Sequence, residues 1–186
     1  NSPLRLKTIS SEEIQTISVA KTYPEILSST PGIYATRETG SYGDASINIR
    51  GFKQENISIL LNGIPISGLT SGSMYWNNWM GLTDATSMIQ LQKGIGSSML
   101  SDNSVGGTIN IVTLSPSKKF GASVGYYYAG YGTQKGFINI NSGDLGRGWA
   151  FNLSGSYTWG SGYVECTDVS AWSYLASISK KINSEH

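Results

Sequence analysis

Apolar and polar positions along this chain follow one rule ahead of Pro116 and another beyond it. Ahead of it, short apolar runs alternate with helix and turn signals. Ser10-Ser11-Glu12-Glu13-Ile14 reads as a helix start, with a hydroxyl cap and acidic residues that complement the helix dipole. A second helix is expected from about Lys21 to Ser29, with Pro24 near its first turn and Pro31-Gly32 stopping it. Ile33 to Thr36 reads as a short strand leading into a polar loop over 37–44. Ser46 to Phe52 alternates Ile47 and Ile49 with Asn48 and Arg50, the half-buried strand pattern. Ile57 to Leu61 is a further strand, and Asn62-Gly63 closes a tight hairpin onto Ile64-Pro65-Ile66. Residues 67–79 are irregular, Thr83-Asp84 caps a short helix running to about Met88, Ile89 to Lys93 is a strand, and 94–103 is a loop of small residues. Gly107 to Thr113 is the last strand of this unit. Strands alternating with short helices indicate an α/β unit around a small mixed sheet.

Beyond Pro116 the period is two. In Trp149 to Trp159 the residues Trp149, Phe151, Leu153, Tyr157 and Trp159 share one face, and Asn152, Ser154, Ser156 and Thr158 share the other. Aromatics at both ends of the apolar face, with small polar residues opposite, describe a lipid-facing strand with interfacial girdles. Phe120, Val124, Tyr126 and Tyr128 repeat the pattern, as do Trp172, Tyr174, Ala176 and Ile178. In 137–141, Ile138 and Ile140 oppose Asn139 and Asn141. A layer of a soluble β-sandwich also alternates. Four such strands cannot close a barrel, which needs about eight, so the chain is expected to be a fragment. Ser115-Pro116-Ser117-Lys118-Lys119 has linker composition and divides a first domain, 1–115, from a second, 116–186.

Charge is sparse and nearly balanced, 13 basic against 12 acidic residues, so neither a nucleic-acid stripe nor a solvating acidic tail is present. No apolar run reaches the roughly 18 residues of a membrane helix, a test that strands escape. The start, Asn1-Ser2-Pro3-Leu4, lacks a signal-peptide layout, which implies a processed precursor or a start inside a longer chain. Cys166 is the single cysteine, beside Glu165 and Asp168 with no basic neighbour to activate it, and His186 is the single histidine. No triad, metal site or bound cofactor is expected, and neither is enzymatic activity. Gly94-Ile95-Gly96-Ser97-Ser98 fails as a phosphate cradle because Met99 stands where the third glycine belongs.

Four segments in fixed order, Pro31-Gly32-Ile33-Tyr34, Ile47-Asn48-Ile49-Arg50-Gly51-Phe52, Leu61-Asn62-Gly63-Ile64-Pro65 and Val105 to Thr113, closely resemble the plug of TonB-dependent outer-membrane transporters. The resemblance covers Ser2 to Thr113, and the strands beyond look like the start of that family's barrel. It implies an α+β plug domain with a small mixed sheet, followed by the first antiparallel strands of a transmembrane β-barrel. It also implies active uptake through the outer membrane, driven by the TonB energy-coupling complex, whose contact segment would lie upstream of Asn1. The plug would be reached from the periplasm, so residues 142–148 would be a periplasmic turn and 160–171 an extracellular loop. The ligand is not legible; siderophores, cobalamin, haem, oligosaccharides and peptides all use this architecture in the family. The alternative is a soluble secreted binding module with an α/β domain and a small β-sheet, which would not need detergent.

Arg50 lies on a strand otherwise patterned for burial, and a buried guanidinium needs a carboxylate partner. In the resembling family the matching arginine pairs with acids on the barrel wall, together with a second basic residue from the strand matched here by 89–94. This chain carries Lys93 there, which cannot form a bidentate fork, and Ile95 where the family often has proline. Tyr75-Trp76-Asn77-Asn78-Trp79 is the first candidate for ligand contact, since aromatic faces beside amides suit sugars, flat cofactors or peptides; its rival role is packing between plug and barrel. Arg37 and Tyr42 mark a second candidate loop. Gly51, Asn62, Gly63, Gly106 and Gly107 are assigned to turns and close backbone approach.

Overall fold

The first unit buries the apolar members of its alternating strands between two sheets and two short helices. The computed structural model describes residues 6–17, 21–37, 43–68, 71–94, 105–117, 119–161 and 164–182. In chain order these form β1 (Leu6–Ser10), α1 (Ser11–Ile17), α2 (Tyr23–Leu27), β2 (Ile33–Arg37), β3 (Ala45–Ile49), β4 (Ile57–Leu61), β5 (Ile64–Pro65), β6 (Thr86–Lys93) and β7 (Gly107–Thr113). A five-stranded sheet runs β1-β6-β7-β4-β5, with β4 and β7 parallel and the other pairs antiparallel. β2 and β3 make a separate antiparallel pair. Ile9, Ile26, Ile47, Ile49, Ile59, Ile89, Leu91, Ile109 and Ile111 are fully buried in one core.

Local chemistry explains most of these elements. The Glu13 amide donates to the Ser10 hydroxyl at 3.3 Å, the cap expected for α1. The Thr22 amide and hydroxyl both donate to Glu25 Oε2, at 2.7 and 2.9 Å, which fixes the start of α2. That helix ends earlier than its pattern suggests, because the Ser29 and Thr30 amides turn to carbonyls three residues back. Asn62 and Gly63 both have positive φ, 52° and 82°, as a two-residue I′ hairpin requires. The turn is pinned to β7: Asn62 Oδ1 accepts the Thr113 amide at 2.9 Å, and the Gly63 amide donates to Asn110 Oδ1 at 3.0 Å.

Three expectations change. No helix covers 83–88; residues 79–86 form successive tight turns, and β6 begins at Thr86. A helix that short is marginal alone, whereas the extended chain from Thr86 gains ladder partners in both β1 and β7. The strand containing Ile47 and Ile49 stops at Ile49, and Arg50 and Gly51 enter a turn with positive φ. β1 went unread in the sequence, and it pairs antiparallel with β6 as an edge strand.

Past the linker, β8 (Phe120–Tyr128), β9 (Gln134–Ser142), β10 (Trp149–Gly160) and β11 (Val169–Lys180) form one antiparallel meander in sequence order. Lys135, Asn139, Asn152, Ser154 and Thr158 point toward the first unit and are buried. Phe120, Val124, Tyr126, Tyr128, Leu153, Trp172, Tyr174 and Ile178 cover the opposite face and are exposed. A soluble sandwich would bury the apolar face and wet the polar one. This sheet does the reverse, as the strands of a membrane barrel do.

Candidate functional site

The aromatic segment 75–79 divides its residues between three environments. A one-turn 3₁₀ helix over Trp76–Trp79 swings Trp76 inward, where it is 3% exposed. Its ring stacks on Tyr23 at 5.5 Å between centroids and 9° between planes, and its Nε1 donates to Gln54 Oε1 at 2.7 Å. Gln54 Nε2 in turn donates to the Met74 carbonyl at 2.9 Å. Trp76 is therefore a core residue and leaves the set of ligand-contact candidates. Serine, glycine and asparagine neighbours suggested exposure, but the apolar partners come from α2 and β3, distant in sequence. Trp79 is half-buried against the core, at the seam with β10 and β11. Tyr75, Asn77 and Asn78 are exposed.

Tyr75 and one edge of Trp76 line a groove of about 460 Å³, together with Asp44, Ser46, Asn48, Lys53, Glu55 and Ser73. Its lining mixes carboxylates, an ammonium, hydroxyls and a phenol ring, a surface suited to a polar ligand with an unsaturated or flat portion. Arg37 lies outside this groove and holds Glu25 at 2.6 Å, tying β2 to the start of α2. Tyr42 lies outside the described residues.

Tyr23 links the groove to the side of the first unit that faces the four-stranded sheet. Its hydroxyl meets Thr86 Oγ1 at 3.0 Å, and that hydroxyl donates to the Leu82 carbonyl at 2.6 Å. Burial pushes the Tyr23 phenol well above its ordinary range, with the Thr86 hydrogen bond pulling the other way. Two buried hydrogen-bonded pairs, Trp76 with Gln54 and Tyr23 with Thr86, are thus joined across the isoleucine core by the stacked rings of Trp76 and Tyr23.

Arg50, in the turn after β3, and Lys93, at the end of β6, both reach the Pro31-Gly32 turn. The Arg50 amide donates to the Gly32 carbonyl at 2.8 Å, and Lys93 Nζ donates to the Pro31 carbonyl. Both basic residues thus flank the Pro31-Gly32 turn, with Arg50 exposed rather than buried. Gly51 has φ 86° and Gly63 φ 82°. A Cβ on Gly106 would stand 2.8 Å from Phe52 Cβ, and one on Gly107 2.4 Å from the Gln92 carbonyl oxygen.

The first unit meets the four-stranded sheet through polar side chains that sequence reading missed. Lys135 Nζ of β9 lies 2.7 Å from Asp84 Oδ2 and donates to Thr83 Oγ1 at 3.2 Å. Asn139 Nδ2 donates to the Asp84 carbonyl at 3.3 Å, and Ser154 donates to Asn139 Oδ1. The signal was available in part: alternation around Ile138 and Ile140 puts Lys135 on the same face as Asn139 and Asn141. Among the described residues no cluster of three metal-ligating side chains occurs.

The family model of the TonB-dependent Receptor Plug Domain matches residues 1–108. A vitamin B12 transporter of Vibrio vulnificus is 27% identical over 149 residues, an alignment covering 80% of this chain and 24% of the transporter. The ferrienterobactin receptor of Escherichia coli is 26% identical over 183 residues, covering 90% of this chain and 24% of the receptor. Among solved structures, the siderophore receptor PiuA from Acinetobacter baumannii superposes with TM-score 0.75 at 23% identity, over 95% of this chain and 24% of that one. The pyoverdine outer membrane receptor of Pseudomonas aeruginosa gives 0.77 at 14% identity, over 98% and 26%. At such identities the structures speak for the fold alone, and the relatives named are transporters and receptors. The plug family covers more than half of the chain and the shared fold nearly all of it, so this chain belongs to the TonB-dependent receptors, carrying their plug and the first antiparallel strands of their outer-membrane barrel.

Proposed function

We propose that the chain is the gate and first wall segment of an energised outer-membrane transporter, and that it binds and transports rather than catalyses. Residues 1–115 obstruct a pore whose wall begins at 116, and drive reaches the plug from the periplasm through TonB. One observation carries this reading: the four-stranded sheet turns a polar face onto the plug and leaves an aromatic-rich apolar face bare. A plug must touch its wall through groups that can be re-solvated when it moves, while the outside of the wall must meet lipid. The same face weighs against a soluble binding module.

In this orientation β8 rises outward, the turn 143–148 is periplasmic and the loop after β10 is extracellular. Arg50 and Lys93, gathered at the Pro31-Gly32 turn, form a basic pair for acids on wall strands beyond β11. Arg37, Tyr75, Asn77 and Asn78 are the proposed ligand contacts, with Tyr42 added from the sequence. Relatives named for vitamin B12 and ferric enterobactin suggest a scarce, bulky nutrient of that size class.

The test is uptake by cells expressing the full-length receptor. Labelled cobalamin and ferric siderophores should accumulate only when TonB is present, and removing residues 1–115 should open a leak to large solutes. Accumulation that ignores TonB, or a plugless receptor that stays tight, would overturn the proposal.

A further inference from the structure

The resemblance to known plugs puts basic residues on the plug and acids on the wall, but the first hairpin of this wall has the reverse polarity. We propose that Asp84 and Lys135 form a latch that fastens the plug turn 81–86 to the β8–β9 hairpin and holds the gate shut at rest. Both side chains are almost entirely buried, 7% exposed for Asp84 and 6% for Lys135, and their charged atoms stand 2.7 Å apart. Lys135 Nζ is shared between Asp84 Oδ2 and Thr83 Oγ1, 2.7 and 3.2 Å away.

Three features make this pair a fastening rather than incidental contact. The turn it grips is rooted in the plug core, because Thr86 bonds both the Leu82 carbonyl and the Tyr23 hydroxyl. Backbone comes against wall beside it: a Cβ on Gly81 would fall 1.5 Å from Ser173 Oγ, so any side chain there would pry the surfaces apart. The adjoining seam holds a gap of about 120 Å³, bordered mainly by apolar groups such as Leu61, Trp79, Leu82 and Leu175, with Asp84 and Ser154 at its polar edge. Apolar groups border the pair, but across this gap rather than in close contact. A buried pair is a poor source of net stability, yet losing one partner strands the other charge in a low-dielectric site. Once separated into a wet pore, both charges are re-solvated, which an apolar seam could not match. Closure held this way is specific and reversible.

The latch rests on the gating reading above, and the experiment separates the two by measuring resting leak in cells that lack TonB. Full-length receptor is expressed, its level in the outer membrane is measured, and entry of a glycopeptide antibiotic too large for ordinary porins is followed. Asp84→Asn and Lys135→Met should each raise entry several-fold. Asp84→Lys combined with Lys135→Asp should return it to within about twofold of the parent, because a buried pair restores what each single change strands. If a single variant fails to accumulate, the swapped pair should restore accumulation. Silent single variants, or a swapped receptor as leaky or as poorly assembled as the singles together, would overturn the latch.

Discussion

Replacing Trp76 by alanine tests the assignment that departs furthest from the local sequence. The substitution removes a ring stacked on Tyr23 and the donor to Gln54 Oε1. Truncating a buried tryptophan costs about 3–5 kcal/mol, and a buried amide oxygen left without its donor adds about 1–3 kcal/mol. The neighbouring groove, which Trp76 itself borders, lets water into part of the space and reduces the sum. The expected net loss is about 4 kcal/mol, or a fall in Tm of roughly 10 °C at about 2–4 °C per kcal/mol for this chain length. Unfolding of the full chain in detergent micelles, followed by near-ultraviolet circular dichroism, measures it. Trp76→Phe keeps the stack and should lose only about 1–2 kcal/mol. Tyr75→Ala, at an exposed position one residue away, should stay within about 0.5 kcal/mol of the parent. A Trp76→Ala protein as stable as its parent would refute the core assignment, and weaker ligand binding at full stability would return Trp76 to the ligand site.

Two further outcomes follow from the same core. Tyr23 has its folded-state pKa raised above the ordinary value of about 10, so the unfolded chain loses its phenolic proton first. Its contribution to stability is complete below that pH and declines as pH rises above it; Tyr23→Phe should lose about 1 kcal/mol at neutral pH and flatten the alkaline decline, read by chemical unfolding at several pH values. Gly107→Ala should cost about 2–4 kcal/mol, because its φ of 140° and a carbonyl 2.4 Å from the new Cβ leave no relaxed conformation, whereas Gly51→Ala, at φ 86° in open space, should cost only about 1 kcal/mol. Equal losses at the two glycines, measured by thermal unfolding, would show that conformation alone and not contact governs them.

Wherever the responsible interaction is local, the sequence determined the outcome. The Asn62-Gly63 hairpin follows from which residues tolerate positive φ, the start of α2 from a threonine with a glutamate three residues on, and the faces of β8 to β11 from strict alternation. Alternation even fixed which face of the wall is polar, since the period of two leaves no other arrangement. Tertiary structure decided what depends on partners far along the chain. β1 exists because β6 offers it an edge, and the short helix expected at 83–88 gives way because the chain from Thr86 pairs with β7 and, from Met88 on, with β1 as well. Trp76 is buried by Tyr23, some fifty residues earlier, and no property of Ser73, Asn77 or Asn78 reports that. Arg50 and Lys93 are brought to one place by the Pro31-Gly32 turn, whose two carbonyls accept the Arg50 amide and the Lys93 ammonium. The Asp84–Lys135 pair joins a plug turn to a wall strand some fifty residues on, and long-range charge pairing has no periodicity to read; only packing the plug against its wall brings the two together.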